Sequence, residues 1–206
     1  MISTVDLVAM IAAYLLGSLS FARIVSRAMG LADPTSYGSG NPGATNVLRS
    51  GNKLAAALTL AGDAAKGVAA VLLARLIGPD FGLRETGVAL VTLAVFIGHL
   101  YPVFFAFRGG KGVATAAGAL WALDWRIGAG LTAVWLVVFA VTRVSSLAAL
   151  LAAAAAPVLT VWLWGAGSTS AAVLAVALLL LWRHRGNIER LRVGKEAGFG
   201  SAQRRR

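Results

Sequence analysis

Long runs of Ala, Leu and Val, almost free of charge, alternate along the chain with short polar segments. A bilayer core of about 30 Å takes about 20 apolar helical residues, fewer where a helix is re-entrant or enclosed by protein. The pattern predicts spans over 4–24, 54–77, 86–107, 112–123, 127–141, 147–164 and 169–182, of which the fourth is short. The expected fold class is therefore an all-α integral membrane protein with seven transmembrane helices. The first run has no basic leader and no small-residue cleavage site behind it, so it reads as a retained span and not as a signal peptide. No internal repeat is evident.

The basic residues orient these spans. With the N-terminus periplasmic, fifteen fall on the cytoplasmic side: Arg23, Arg27, Arg49, Lys53, Arg108, Lys111, Arg143, Arg183, Arg185, Arg190, Arg192, Lys195, Arg204, Arg205 and Arg206. Only Arg75, Arg84 and Arg126 fall outside, and Lys66 lies within a span, which accounts for all 19 Lys and Arg. That asymmetry is the one the positive-inside rule requires. The C-terminus is then cytoplasmic, and the main polar segments share the cytoplasmic face. Residues 1–196 read as a single polytopic membrane domain, and 197–206 as a basic, mobile tail able to touch anionic lipid. Trp121, Trp125, Trp162 and Trp164 cluster near the outer ends of spans, as aromatic belts do.

Composition sharpens this picture. The 206 residues are 58% hydrophobic and 13% charged, and the mean hydropathy of +0.78 lies outside the range of soluble domains. The net charge of +11 does not imply nucleic acid, because Lys and Arg fall between apolar runs and form no single basic face. The absence of Cys excludes disulfides, thiolate metal sites and cysteine nucleophiles. His99 and His184 are too few for most histidine-built metal sites, so no metal or other cofactor is expected.

Chemistry must therefore reside in three polar cassettes. In GSGNPGATNVLR (38–49), Gly38, Gly40 and Gly43 loosen the backbone, Ser39, Asn41, Thr45 and Asn46 offer short donors, and Arg49 offers a guanidinium fork. Taken alone, this segment reads equally as an anion cradle or as a turn at Pro42 with Asn or Ser capping the next helix. In GHLYPVFFAFRGGKGVAT (98–115), Lys111 stands among Gly109, Gly110 and Gly112 just after Arg108, at the mouth of a helix. Missing Cβ atoms let a phosphate approach main-chain amides there, and the helix N-terminus adds positive potential. It is not a Walker A loop, since Gly112 follows the lysine and no hydroxyl is placed for magnesium. Arg108 and Lys111 also read as positive-inside anchors. His99 reads as a satisfied structural histidine in the middle or opposite end of its span.

The third cassette, HRGNIERLRVGKE (184–196), places His184 and Asn187 on one helical face and closes on Glu196. His184 and Glu189 are five residues apart, about 140° around a helix, which argues against a catalytic dyad. A solvated basic helix end is the other reading. Within the second span, Asp63 and Lys66 are spaced i, i+3 and can pair, either as a polar floor under the site or as a packing device. Ser145 and Ser146 mark the mouth of the sixth span, as caps or as site residues.

The order and wording of these cassettes resemble the PlsY family, acyl-phosphate-dependent glycerol-3-phosphate acyltransferases of bacterial inner membranes. The resemblance runs from YLLGS at 14–18 through the first cassette, Asp63 with Lys66 and Gly67, the second cassette, the Ser146 region and HRxNIxRL. It implies a cytoplasmic-side site and transfer of a fatty acyl group from acyl phosphate to the 1-hydroxyl of glycerol 3-phosphate, giving lysophosphatidic acid and inorganic phosphate. By the same resemblance, the catalytic set is Ser39, Arg49, Lys111, Ser146, His184 and Asn187; Asp63, Lys66, His99 and Glu196 are candidate supporting residues beside it. The enzyme that makes acyl phosphate is an implied partner. Gly186 stands where an acidic residue is expected between Arg185 and Asn187, which alters the local charge balance.

Both substrates would bring phosphate to one site, so the cations and glycine-framed amides first have to offset mutual repulsion. Acyl phosphate carries a good leaving group, which favours direct transfer, with either His184 or the phosphate of glycerol 3-phosphate taking the proton. A small transporter of a phosphate-bearing solute or lipid is the rival reading, and it predicts polar sites at both faces.

Overall fold

The computed structural model describes residues 2–198; the basic end of the tail, with Arg204 to Arg206, lies outside the described residues. The described chain is helical throughout. Helix α1 (Thr4–Gly17) opens on a capping box, in which the Ser3 hydroxyl accepts from the Asp6 N–H and the Asp6 carboxylate accepts from the Ser3 N–H. It bends by 40° into α2 (Phe21–Ala28), so the continuous first span expected over 4–24 is broken. The cause is a lysine from a distant helix. The Lys66 ammonium donates to the Gly17 carbonyl at 2.8 Å and the Leu19 carbonyl at 2.6 Å, acceptors that a continuing helix would have used itself.

After the one-turn α3 (Ala44–Val47), Asn52 caps α4 (Lys53–Leu76) by accepting from the Ala55 N–H. There follow α5 (Glu85–Leu100), the short apolar α6 (Val113–Leu123), α7 (Trp125–Thr142), α8 (Ser145–Trp164) and α9 (Ser168–Arg183), the last bent by 57° into α10 (Arg185–Arg192). Helices α4, α7 and α8, and α5 with the turn that extends it to Phe105, are long and apolar enough to cross a membrane. The bent pairs α1–α2 and α9–α10 pass the same test jointly. Each of the seven predicted runs thus corresponds to one helix or one bent pair.

Small residues bring the backbones together. A Cβ on Gly17 would enter the Val95 backbone on α5, and one on Gly67 would enter the Thr115 carbonyl on α6. Lys66 also pairs with Asp63 at 3.0 Å, both side chains buried in the bundle. At the far end of α4, Arg75 donates to the Ala122 and Leu123 carbonyls and so closes α6, and the Trp164 indole donates to Asp124. Helix α6 packs on α4, α5 and α7, whereas α8 packs on α7 and α9. A slot is left between α6 and the α8–α9 pair, and the functional site stands at its mouth.

Candidate active site

Three loops meet at one end of the bundle. In the first, the buried Asn46 side chain accepts from the Ser39 N–H at 2.9 Å and donates to the Pro34 and Tyr37 carbonyls at 2.6 and 3.1 Å. Its hydrogen-bonding capacity is spent on shaping the loop. Gly38 has φ +61 and faces the Asn46 and Arg49 side chains, so both handedness and space demand glycine there. Ser39, Gly40, Thr45 and Arg49 are left exposed along the loop, with Asn41 and Gly43 half-covered beside them, and all six border one cavity.

The second loop folds back on the end of α5. The Gly110 N–H donates to the His99 carbonyl at 3.2 Å, and a Cβ on Gly109 would enter the His99 and Leu100 carbonyls. Gly112, at φ +82, caps α6 over the Phe96 ring. These glycines are thus fixed by close approach to α5 as well as by any ligand. Lys111 projects between them and donates to Asn187 Oδ1. Arg108 differs from expectation: the chain turns through left-handed backbone at Ala106 and Phe107, and Arg108 is exposed and away from the cavity. Its place is taken by Arg183, which sequence reasoning passed over as a topological anchor. The Arg183 guanidinium donates to the Gly109 carbonyl at 2.9 Å and to the Gly110 carbonyl at 3.0 Å, and lies over the Tyr101 ring at 5.7 Å. The available signal was a basic last turn on a helix directly preceding His184.

His99 is buried, with Nδ1 3.1 Å from the Thr115 hydroxyl and 3.6 Å from Asp63 Oδ1. It is a satisfied histidine, but it stands at the same end as the glycine loop and not at the middle or opposite end of the helix. Asp63 borders the cavity from below, whereas Lys66 and Gly110 do not reach it.

In the third segment, His184 ends α9 with its ring Nδ1 2.9 Å from the Leu180 carbonyl. That carbonyl, and no carboxylate, orients the imidazole; Glu189 is exposed. Asn187 passes the polar chain onward: its Nδ2 donates to Glu196 Oε1, which also accepts from the Ser146 hydroxyl at 2.7 Å. Arg190 Nε donates to Glu196 Oε2 at 2.6 Å. Lys111, Asn187, Glu196, Ser146 and Arg190 therefore form one connected network drawn from the glycine loop, α8 and the third segment.

Electrostatics follow from this packing. Burial pushes the Lys111 ammonium down to about 8; Glu196 opposes the shift, while Arg190, Arg183 and Arg49 reinforce it. Burial pushes the Glu196 carboxyl up, but the hydrogen bonds from Ser146, Asn187 and Arg190 outweigh it and hold the group below the usual carboxylate range. The cavity, of about 1750 Å³, is bordered by six cations (Arg49, Lys111, Arg183, Arg185, Arg190 and Lys195) against three carboxylates (Asp63, Glu189 and Glu196). From this polar end it continues into the slot, between Leu120, Leu131, Trp135, Ala156 and Val173.

Such a fold and site define an integral membrane protein that can hold an anionic head and an apolar chain in one continuous space. The glycerol-3-phosphate acyltransferase family profile matches residues 7–194. Among relatives named glycerol-3-phosphate acyltransferase, one from Cupriavidus metallidurans is 56% identical over 200 residues, covering 97% of this chain and 99% of its own. One from Ralstonia pickettii is 59% identical over 194 residues, 94% of each chain. The crystal structure of PlsY, an integral membrane glycerol 3-phosphate acyltransferase, in its glycerol 3-phosphate form superposes with a TM-score of 0.88 at 36% identity, covering 96% of this chain and 97% of that one. Its lysophosphatidic acid form gives 0.86 at the same identity, with 96% of each chain covered. The chain belongs to the PlsY family of glycerol-3-phosphate acyltransferases.

Proposed function

We propose that the protein transfers a fatty acyl group from acyl phosphate to the 1-hydroxyl of glycerol 3-phosphate, releasing lysophosphatidic acid and inorganic phosphate, at the cytoplasmic face of a bacterial inner membrane. The observation that carries this reading is the continuity of one cavity from a cationic, glycine-framed mouth to an apolar slot. A free anion needs only the first of these, and a hydrocarbon only the second. Seven crossings, with α6 as the short one and the bent pairs as one crossing each, would put the mouth on the side that holds most Lys and Arg.

Arg49 and Lys111, with the main-chain amides and the Ser39 and Thr45 hydroxyls of the first loop, bind the two phosphates and offset their repulsion. Arg183 occupies the Gly109 and Gly110 carbonyls, so their lone pairs are engaged by a cation, and it adds a positive charge at the border of the cavity. As phosphate enters, the Lys111 ammonium exchanges Asn187 Oδ1 for a phosphate oxygen, while Glu196 keeps Asn187 and Ser146 in place.

The 1-hydroxyl oxygen then attacks the acyl carbonyl carbon. A C–O bond forms, the bond from that carbon to the bridging phosphate oxygen breaks, and phosphate leaves with the bonding pair. The hydroxyl proton passes to the phosphate of glycerol 3-phosphate. Protonating His184 instead would place a third cation beside Lys111 and Arg183, in a ring whose Nδ1 already engages the Leu180 carbonyl. His184 and Asn187 orient the reacting groups, and fixed donors stabilise charge developing on the carbonyl oxygen. No covalent acyl-enzyme is required, because the anhydride supplies its own leaving group.

The test is the purified protein in phospholipid vesicles with labelled glycerol 3-phosphate and a single acyl donor. Labelled lysophosphatidic acid is expected with acyl phosphate as that donor. Product only with an acyl thioester would assign a different donor.

A further inference from the structure

We infer that the floor of the apolar slot, where Leu120, Leu131, Ala156 and Val173 converge, sets the length of the acyl chain the enzyme accepts. The inference rests on the acyl-transfer reading and adds a residue-level specificity to it. On α6 and α8 the upper walls of the slot are built from small side chains, Ala116 with Ala149 and Ala153, which leave the bore open opposite Val176 and Leu180 on α9. Bulk returns at the bottom: Leu120, Leu131 and Val173 are buried there, and they face Ala156.

Two helices measure the depth independently. Ala156 lies ten residues beyond Ser146 on α8, and Val173 lies eleven residues before His184 along α9. At 1.5 Å per residue these are about 15 and 16 Å. An extended hydrocarbon advances about 1.25 Å per methylene, given carbon–carbon bonds near 1.5 Å at tetrahedral angles. The slot therefore seats roughly a dozen methylenes before the floor, and longer chains have to bend to fit.

The floor is also held fixed. Along the α7 wall, where Gly128 and Thr132 also border the cavity, the Trp121 ring lies across Gly128, where a Cβ would strike it, and its indole donates to the Thr132 hydroxyl at 3.0 Å. This clamp joins α6 to α7 at the level of Leu120 and Leu131, so the stop cannot recede by a simple rotation of one helix.

The experiment compares kcat/KM across acyl phosphates of 8 to 18 carbons for the wild type, Ala153→Leu and Leu120→Ala. Ala153 lies three residues above Ala156, about 4.5 Å, so Ala153→Leu raises the stop by three or four carbons. Because each methylene that loses its seat lowers kcat/KM by about fourfold, the ratio of long-chain to short-chain turnover should fall roughly 60- to 250-fold in Ala153→Leu. In Leu120→Ala the optimum should move toward longer chains.

Should Ala153→Leu fail to fold or lose activity at every length, Leu120→Ala decides alone: a longer optimum supports the inference. Equal scaling at all lengths in whichever variant is active, or an unchanged optimum, would overturn it. In either of those cases transfer by the wild type would leave the acyl-transfer reading intact. A wild type that transfers from no acyl phosphate would overturn the reading, and the inference with it.

Discussion

The Lys111 ammonium donates to the side-chain carbonyl of Asn187, 76 residues further along the chain, and so joins the glycine loop before α6 to the first turn of α10. Deleting the charge while keeping the stem tests what this contact is for. A charge-assisted contact in a water-poor site contributes roughly 2–4 kcal/mol to the transition state, so Lys111→Met should lower kcat/KM about 30- to 1,000-fold. Lys111→Arg should fail substantially as well, because a planar guanidinium does not fit between Gly110 and Gly112, which pack on His99 and Phe96. Near-normal turnover in both variants would make Lys111 a topological anchor only.

The depressed Lys111 value gives the reaction an alkaline limb. A lysine near 8 is cationic below that pH and loses its charge as the pH rises through it. Because kcat/KM reports the free enzyme, its value for glycerol 3-phosphate should decline above about pH 8, and the limb should be absent from Lys111→Met. Glu196 favours the ammonium and Arg183 disfavours it. Glu196→Gln should therefore move the limb to lower pH, and Arg183→Gln should move it higher. Shifts in the same direction, or a limb that persists in Lys111→Met, would mean another group titrates.

Arg183→Gln has a second signature. With the Gly109 and Gly110 carbonyls released, the loop no longer presents Lys111 in a fixed place, and kcat/KM should fall about 10- to 100-fold through loss of half-buried charged hydrogen bonds. Arg183→Lys should recover little, because an ammonium lacks the planar face that lies over the Tyr101 ring and the fork that carries donors to both glycine carbonyls at once from that position. Steady-state kinetics on well-folded variants check this, and full activity in Arg183→Lys would count against it.

Much of this arrangement was legible in the sequence, because a membrane scaffold allows polar residues few places to go. The cassettes stand out for that reason, and they do converge. What was not legible depended on partners distant in sequence. The break of the first span follows from Lys66, 49 residues beyond Gly17, whose spacing pointed only to Asp63. Arg108 and Arg183 look alike as basic residues at helix ends, and only the left-handed turn at Ala106 and Phe107 turns one outward while α9 delivers the other inward. Asn46 reads as a ligand donor, yet the loop consumes its amide. The glycines around Lys111 read as room for phosphate, and Gly109, Gly110 and Gly112 also accommodate α5.

Topology is checked by reporters. One fused after Arg206 should be cytoplasmic, and one inserted after Gly82, between α4 and α5, should be periplasmic, as seven crossings demand. Both on one side would remove the short α6 or one bent pair from the count of crossings.

Direct transfer at one doubly anionic site is the core of the account, and phosphate release measures it. In a single turnover with acyl phosphate, inorganic phosphate should appear only when glycerol 3-phosphate is present, in step with lysophosphatidic acid and in equal amount. A burst of phosphate without glycerol 3-phosphate, leaving an acyl group on the protein, would contradict it.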